Sequence, residues 1–278
     1  MRALRFLASV VLPTLAIAAT GQGCIISDCD NGQDNCVQFK PATKYTLDPE
    51  TKSAAWTSGK AIRIVSANGV VNVSQGSSAE VQATFSAFTL NEEDKEDEAR
   101  REMTNNLDVT VTDEGSQIVV KVSTSSEANG TTGADIDVRL PTGFDADFEV
   151  VQDNGSVDVD LAGSAPTSTR VVNDGAGSIS VSGSRGTLEI TASTGDVDLS
   201  VAEWPTANGS VYTDNGDINI TVPSESNGTI SLTAEGELTE NGVPTSWTAT
   251  ADGYTMGTGV GGAVDVTTDF GDIVLTVE

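Results

Sequence analysis

The sequence predicts an all-β, single-domain β-solenoid, a parallel β-helix-like stack of roughly 20-residue coils carrying one short helix. Three observations predict it. The composition is poor in aromatic residues (5%) and rich in glycine, with 28 glycines among 278 residues, and Thr, Ser, Val and Asp fill much of the rest. Such a mixture suits many short strands joined by tight turns. A short motif then recurs in series: Gly, a small or acidic residue, apolar, polar, apolar. Finally, the motif keeps a near-constant spacing.

The copies are Gly155-Ser156-Val157-Asp158-Val159, Gly177-Ser178-Ile179-Ser180-Val181, Gly195-Asp196-Val197-Asp198-Leu199, Gly216-Asp217-Ile218-Asn219-Ile220 and Gly271-Asp272-Ile273-Val274-Leu275. From Gly155 to Gly177 to Gly195 to Gly216 the steps are 22, 18 and 21 residues. An Asn-Gly before alternating apolar residues is a hairpin signal. Here, however, the same turn leads into the same strand each time, which is how a stacked coil repeats. Strand alternation then points Val157/Val159, Ile179/Val181, Val197/Leu199, Ile218/Ile220 and Ile273/Leu275 inward as core ladders. It points Asp158, Ser180, Asp198 and Asn219 to solvent. An antiparallel β-sandwich is the alternative, because regular turn spacing also suits sandwiches.

Taken in chain order, residues 1–23 read as a signal peptide: Arg2 and Arg5, then an apolar run from Phe6 to Ala19 too short to span a bilayer. Gly23-Cys24 resembles the lipobox of bacterial lipoproteins, which makes Cys24 the lipidated N-terminus. The rival cleavage falls after Ala18. Cysteine counting favours the first reading, since lipid on Cys24 leaves Cys29 and Cys36 as an even pair for a disulfide. Residues 24–60 read as a tether. Within it Asp28, Asp30 and Asp34 lack the spacing of a calcium loop. Residues 61–278 hold the repeats, with Ile62-Arg63-Ile64 and Asn68-Gly69-Val70-Val71-Asn72-Val73 as an early relative. Asn91–Asn106 is the helix candidate, capped by Asn91, with Ala99, Met103 and Leu107 on one stripe. Residues 233–262 are looser and end in Gly257–Gly262, which lacks the Lys-Ser/Thr of a phosphate loop and reads as a turn.

Chemistry is bounded mainly by exclusion. The chain has 14 Lys+Arg, 41 Asp+Glu and no His, a net charge of −27. Histidine triads and imidazole ligands are therefore absent, and nucleic acid is disfavoured as a partner. Asp196, Asp217 and Asp272 occupy one repeat position, so stacking brings them to about 4.8 Å apart. A cation such as calcium could relieve that repulsion, but the calcium-binding nonapeptide of solenoids is missing. Arg139, Arg170 and Arg185 read as surface charge partners. No carboxylate pair stands out for a polysaccharide-degrading solenoid.

The serial N-G-[SD]-[VI]-x-[VI] rungs, the strand Ile136-Asp137-Val138-Arg139-Leu140-Pro141, and Gly257–Gly262 leading to V-T-T-D-F-G-D-I-V-L together resemble the putative-adhesin family of bacterial envelope proteins. This β-solenoid family of unknown function is matched over residues 61–278. The resemblance implies a noncatalytic solenoid with no cofactor and no catalytic residues to carry over. The expectation is a lipoprotein of the bacterial cell envelope, anchored at the outer membrane and facing the periplasm or the exterior. The membrane is then a partner through the lipid, alongside a cell-surface glycan or protein ligand. A secreted protein, or a polysaccharide-binding one, is the alternative.

Overall fold

The computed structural model describes residues 23–28, 37–128 and 130–278. The predicted signal segment, apart from Gly23, and the predicted Cys29–Cys36 pair lie outside these residues. Cys24 sits in the first strand, β1 (Gly23–Asp28), which pairs antiparallel with β2 (Val37–Thr46). After β3 (Glu50–Ala55) comes the first coil, β4 (Ala61–Asn68) and β5 (Val71–Gln75). An excursion follows: β6 (Glu80–Glu92), α1 (Glu96–Asn106) and β7 (Leu107–Asp113). The next coil is β8 (Gln117–Thr124) with β9 (Gly133–Leu140).

Four regular coils come next: β10 (Phe148–Asn154) with β11 (Val157–Asp160), β12 (Ser168–Ala176) with β13 (Ile179–Ser184), β14 (Thr187–Thr194) with β15 (Val197–Val201), and β16 (Gly209–Asn215) with β17 (Ile218–Val222). The chain ends with β18 (Gly228–Ala234) and β19 (Leu238–Asn241), the small strands β20 (Thr248–Ala249) and β21 (Gly253–Met256), and a last coil, β22 (Ala263–Phe270) with β23 (Ile273–Val277).

Each coil contributes one strand to each of two facing sheets, and rung-to-rung pairing is parallel. Val157 pairs with Ile179, Ile179 with Val197, Val197 with Ile218, and Ile218 with Ile273. A sandwich of hairpins would make these pairs antiparallel. All ten repeat-core residues are at most 2% exposed. The facing ladder on the other sheet includes Ile64, Val150, Val171, Ile190, Val211 and Val266, each fully buried. Burying an aliphatic side chain this completely stabilises by roughly 1.5–3 kcal/mol, which no isolated coil could gain. Asp158, Asp198 and Asn219 are exposed and Ser180 half-buried.

The coils do not stack in chain order. One sheet runs β1-β2-β6-β9-β5-β11-β13-β15-β17-β23-β19, the other β7-β8-β4-β10-β12-β14-β16-β22-β18-β21-β20. The β8/β9 coil is laid outside the earlier β4/β5 coil. At the far end the β18/β19 coil is placed outermost and the last coil then inserts beneath it, so Ile273 meets Ile218 on one side and Leu238 on the other.

Two sequence expectations change. The segment read as a tether supplies three strands, because β1 pairs with β2, and β2 and β3 pair antiparallel with β6. That strand runs 13 residues with Val81, Ala83 and Phe85 facing inward and buried, and so long an edge takes partners. The helix starts at Glu96, not after Asn91, which still belongs to β6 and pairs with Thr43. Arg100 pairs with Glu96 one turn back at 2.9 Å and does not reach the last turn. Ala99 and Met103 are buried beneath the helix and Leu107 is half-buried, so α1 closes one end of the stack.

Candidate functional site

The repeated turn forms one corner of the stack. Gly69, Gly155, Gly177, Gly195 and Gly216 all have positive φ, from +118° to +153°. A Cβ at Gly195 would lie 2.4 Å from the Gly177 carbonyl oxygen, and one at Gly216 would lie 2.2 Å from that of Gly195. Only glycine lets successive corners come this close. A row of inward polar residues satisfies the corner carbonyls. Gln152 Nε2 donates to Gly69 O (2.8 Å), Thr213 Oγ1 to Gly195 O (3.1 Å) and Thr268 Oγ1 to Gly216 O (2.9 Å). Asn173 Nδ2 serves two carbonyls, Gly155 O at 2.9 Å and Gly177 O at 2.8 Å. The second bond supplies what the next coil cannot, because the equivalent residue there is Ala192. Sequence alternation missed this row, although a residue three before the corner glycine recurs as Gln152, Ala192, Thr213 and Thr268.

The structure does bring Asp196, Asp217 and Asp272 together in series. Asp196 Oδ1 accepts the Asp217 N–H (3.0 Å), Asp217 Oδ1 the Asp272 N–H (2.8 Å), and Asp272 Oδ1 the Glu237 N–H (2.7 Å). Each carboxylate thus caps the turn stacked on it, which offsets like-charge proximity with backbone donors. Among the described residues no group of three or more His, Cys, Asp or Glu is arranged to hold a metal.

The outward faces are polar and closely paired. On one sheet Arg63, Glu149, Arg170 and Glu189 alternate across neighbouring strands at 2.7, 2.6 and 3.1 Å. Arg185 pairs with Glu203 at 2.5 Å, and Arg139 donates to Ser74 at 2.5 Å. Such partly exposed pairs contribute about 0–1 kcal/mol each. Tyr212 donates to both Asp214 and Asp269. These bonds hold its phenol well above the usual range, so it stays protonated and unsuited to base catalysis near neutrality. On the other sheet the outward Ser180, Ser182, Asp198, Ser200, Asn219 and Thr221 line a shallow trough.

A cleft of about 420 Å³ opens at the opposite corner. Three loops build it. Residues 202–208 precede β16, 257–262 precede β22 and 223–227 precede β18. Because β22 lies between β16 and β18, the glycine-rich loop is the middle one. It is wedged tightly: a Cβ at Gly262 would lie 2.1 Å from Ala207 O, and one at Gly261 would lie 1.7 Å from Asn227 O. Having almost no side chains, it leaves a trough between two bulkier neighbours. Trp204 Nε1 donates to Gly262 O (3.0 Å), and Asn227 Oδ1 accepts the Thr258 and Val260 N–H groups (2.9 and 3.3 Å). Trp204, Pro205, Pro223, Ser226, Asn227 and Val260 line the cleft, with Glu203 and Glu225 at its rim. The sequence signal was Gly257–Gly262 itself, but its neighbours depend on coil order.

Comparison with known proteins assigns the family. A crystal structure of a putative cell adhesion protein from Clostridium sporogenes is 12% identical, covering 83% of this chain and 100% of the other, with a TM-score of 0.48. A putative adhesin from Bacteroides fragilis is also 12% identical, covering 83% and 97%, with a TM-score of 0.39. A putative adhesin from Parabacteroides distasonis is 9% identical over 83% and 97%, with a TM-score of 0.33. No curated protein matches the chain. The Toastrack DUF4097 family model matches residues 60–277, nearly the whole span of coils, and the chain belongs to the Toastrack DUF4097 family.

Proposed function

We propose that this chain is a noncatalytic, lipid-anchored protein of the bacterial cell envelope whose solenoid presents a binding surface of adhesive type. The observation that carries the reading is the position of β1. This strand begins at Gly23-Cys24 and is the outermost strand of its sheet, at the end opposite β23 and β19. Ten inter-strand steps separate β1 from β19, which at about 4.8 Å each is about 48 Å. A lipid on Cys24 would therefore hold the capped end at the membrane and carry the three-loop cleft outward. The acidic surface suits this arrangement, since it resists collapse onto anionic lipid.

Intact-mass measurement of protein from the membrane fraction tests the anchor. Cys24 carrying diacylglycerol is the expected result, with Cys24→Ser moving the protein to the soluble fraction. An unmodified Cys24, or a mature protein that starts upstream of it, would overturn the anchor. Turnover of any polysaccharide would overturn the noncatalytic half.

A further inference from the structure

From the Asn-Gly turns we infer that Asn241, on the outermost strand of its sheet, is a site of spontaneous deamidation, and that coil stacking shields the equivalent bonds at the corners. Neither the anchor nor the binding surface enters into it. The sequence holds eight Asn-Gly pairs, at Asn31, Asn68, Asn129, Asn154, Asn208, Asn215, Asn227 and Asn241. In such a pair the glycine backbone nitrogen can lose its proton and attack the asparagine Cγ. The new N–Cγ bond closes a five-membered succinimide, and the side-chain nitrogen leaves as ammonia. Water then opens the ring at either carbonyl, giving aspartate or isoaspartate. Glycine favours the attack because it has no side chain to crowd the ring. Asn31 and Asn129 lie outside the described residues, which leaves six pairs to compare.

The attack needs two freedoms: a glycine N–H free to lose its proton, and an asparagine carboxamide free to swing toward it. At the corners the first is missing. Gly69 N–H donates to Asn154 O (3.1 Å), Gly155 N–H to Ala176 O (2.9 Å) and Gly216 N–H to Phe270 O (3.0 Å). Each bond joins one coil to the next, so the nitrogen is released only when stacked coils part. Asn68 is tied a second time, its Nδ2 donating to Thr132 O at 3.1 Å. In the loops the second freedom is missing. Asn208 Oδ1 accepts the Ala263 N–H (3.1 Å), and Asn227 Oδ1 accepts the Thr258 and Val260 N–H groups (2.9 and 3.3 Å).

Asn241 carries neither restraint. Asn241 and Gly242 are both exposed. Among the described residues the Asn241 carboxamide and the Gly242 N–H make no hydrogen bond. Their strand, β19, is bonded to β23 on one side and to no described strand on the other. The modification would be felt beyond its own residue. Either product places a new negative charge on β19. Isoaspartate also adds a carbon to the backbone, which disturbs the pairing of Asn241 with Thr276 and of Glu240 with Leu275. Glu240 in turn accepts the Tyr254 Oη at 2.5 Å, and Tyr254 packs beside Trp247 with ring centres 6.1 Å apart. Deamidation therefore loosens β19 and the aromatic pair fastened to it.

The test is ageing of the purified protein in mildly alkaline buffer, with peptide mapping by mass spectrometry at intervals. Conversion is read from the mass gained when an amide becomes an acid, and the two products are told apart by elution. In the native chain Asn241 should convert about a hundredfold or more faster than Asn68, Asn154 and Asn215, because those three must wait for stacked coils to open. Asn208 and Asn227 should lag Asn241 by about tenfold, the effect of holding the carboxamide by hydrogen bonds. In denaturant all these rates should converge, which separates shielding by the stack from any effect of flanking residues. Ageing should also speed hydrogen exchange across Leu238–Asn241. Asn241→Gln, whose longer side chain disfavours ring closure, should abolish that change. Equal native rates at Asn241 and the corners would overturn the assignment, as would a spread of rates in denaturant as wide as in the native chain. An aged Asn241→Gln variant that loosens as the parent does would overturn the structural consequence.

Discussion

Gly195→Ala isolates the corner contact on which stacking depends. The new Cβ would sit 2.4 Å from Gly177 O and 2.6 Å from Gly177 C, on a backbone held at φ +136°. The unfavourable φ alone costs about 1–3 kcal/mol. Relieving the contact requires the two corners to part by about 1 Å, because non-bonded heavy atoms settle near 3.5 Å. That movement strains the Gly195 N–H to Asn215 O bond (2.8 Å) and the Gly177 N–H to Thr194 O bond (2.9 Å), each worth about 1 kcal/mol net. The sum is about 3–5 kcal/mol, or a fall of about 10 °C in melting temperature for a domain of this size. Gly115→Ala is the control: φ is +84° and a methyl group there would meet no atom within 4 Å, so it should cost only about 1 kcal/mol. Thermal denaturation followed by far-UV circular dichroism reads both. Equal losses would refute close corner stacking and leave backbone strain as the whole effect.

Asn173→Thr should lose about 1–3 kcal/mol, because a hydroxyl cannot donate to both Gly155 O and Gly177 O. Adding Ala192→Thr should restore part of the loss, and additive losses in the double-mutant cycle would count against a shared carbonyl row. Melting temperatures in calcium and in chelator should coincide, since backbone N–H groups already engage Asp196, Asp217 and Asp272; a rise in calcium would show that these carboxylates bind it. Hydrogen bonds from Ser168 and Thr167 hold the Asp147 carboxyl below its ordinary value. Its contribution is therefore present at neutral pH and lost as pH falls below about 4, so Asp147→Asn should destabilise at pH 7 and be near neutral at pH 2. Asp153 is shifted the other way, by desolvation and then by Asp174. Asp153→Asn should accordingly raise the melting temperature at pH 7 and lose that benefit in acid; destabilisation at pH 7 would contradict the assignment.

Much of the fold was legible because a solenoid writes its core as a local pattern. Val197 and Leu199, or Ile218 and Ile220, declare their inward face by alternation alone, and the corner glycines declare the turn. Coil order was not legible, since each rung presents nearly the same surface above and below. Nothing local tells Ile273 to pair with Ile218 when β18 and β19 come between them in sequence. The cleft was hidden for the same reason: Gly257–Gly262 reads as a plain turn until β22 is seen between β16 and β18. The inward positions of Asn173 and Thr213 do not show in the alternation of apolar residues, because their partners are carbonyls of the coil corners. The helix start moved because Asn91, a good cap by residue type, was already committed to the β2–β6 ladder.

Insertion of the last coil beneath the β18/β19 coil both completes the stack and forms the cleft, and hydrogen exchange reads that order directly. In native-state exchange followed by mass spectrometry, peptides covering Ile273–Val277 should be protected to nearly the level of global unfolding, because β23 is bonded on both sides. Peptides covering Leu238–Asn241 should exchange far faster, because β19 is an exposed edge. Coils stacked in chain order would reverse this, with Leu238–Asn241 protected and Ile273–Val277 fraying at the end.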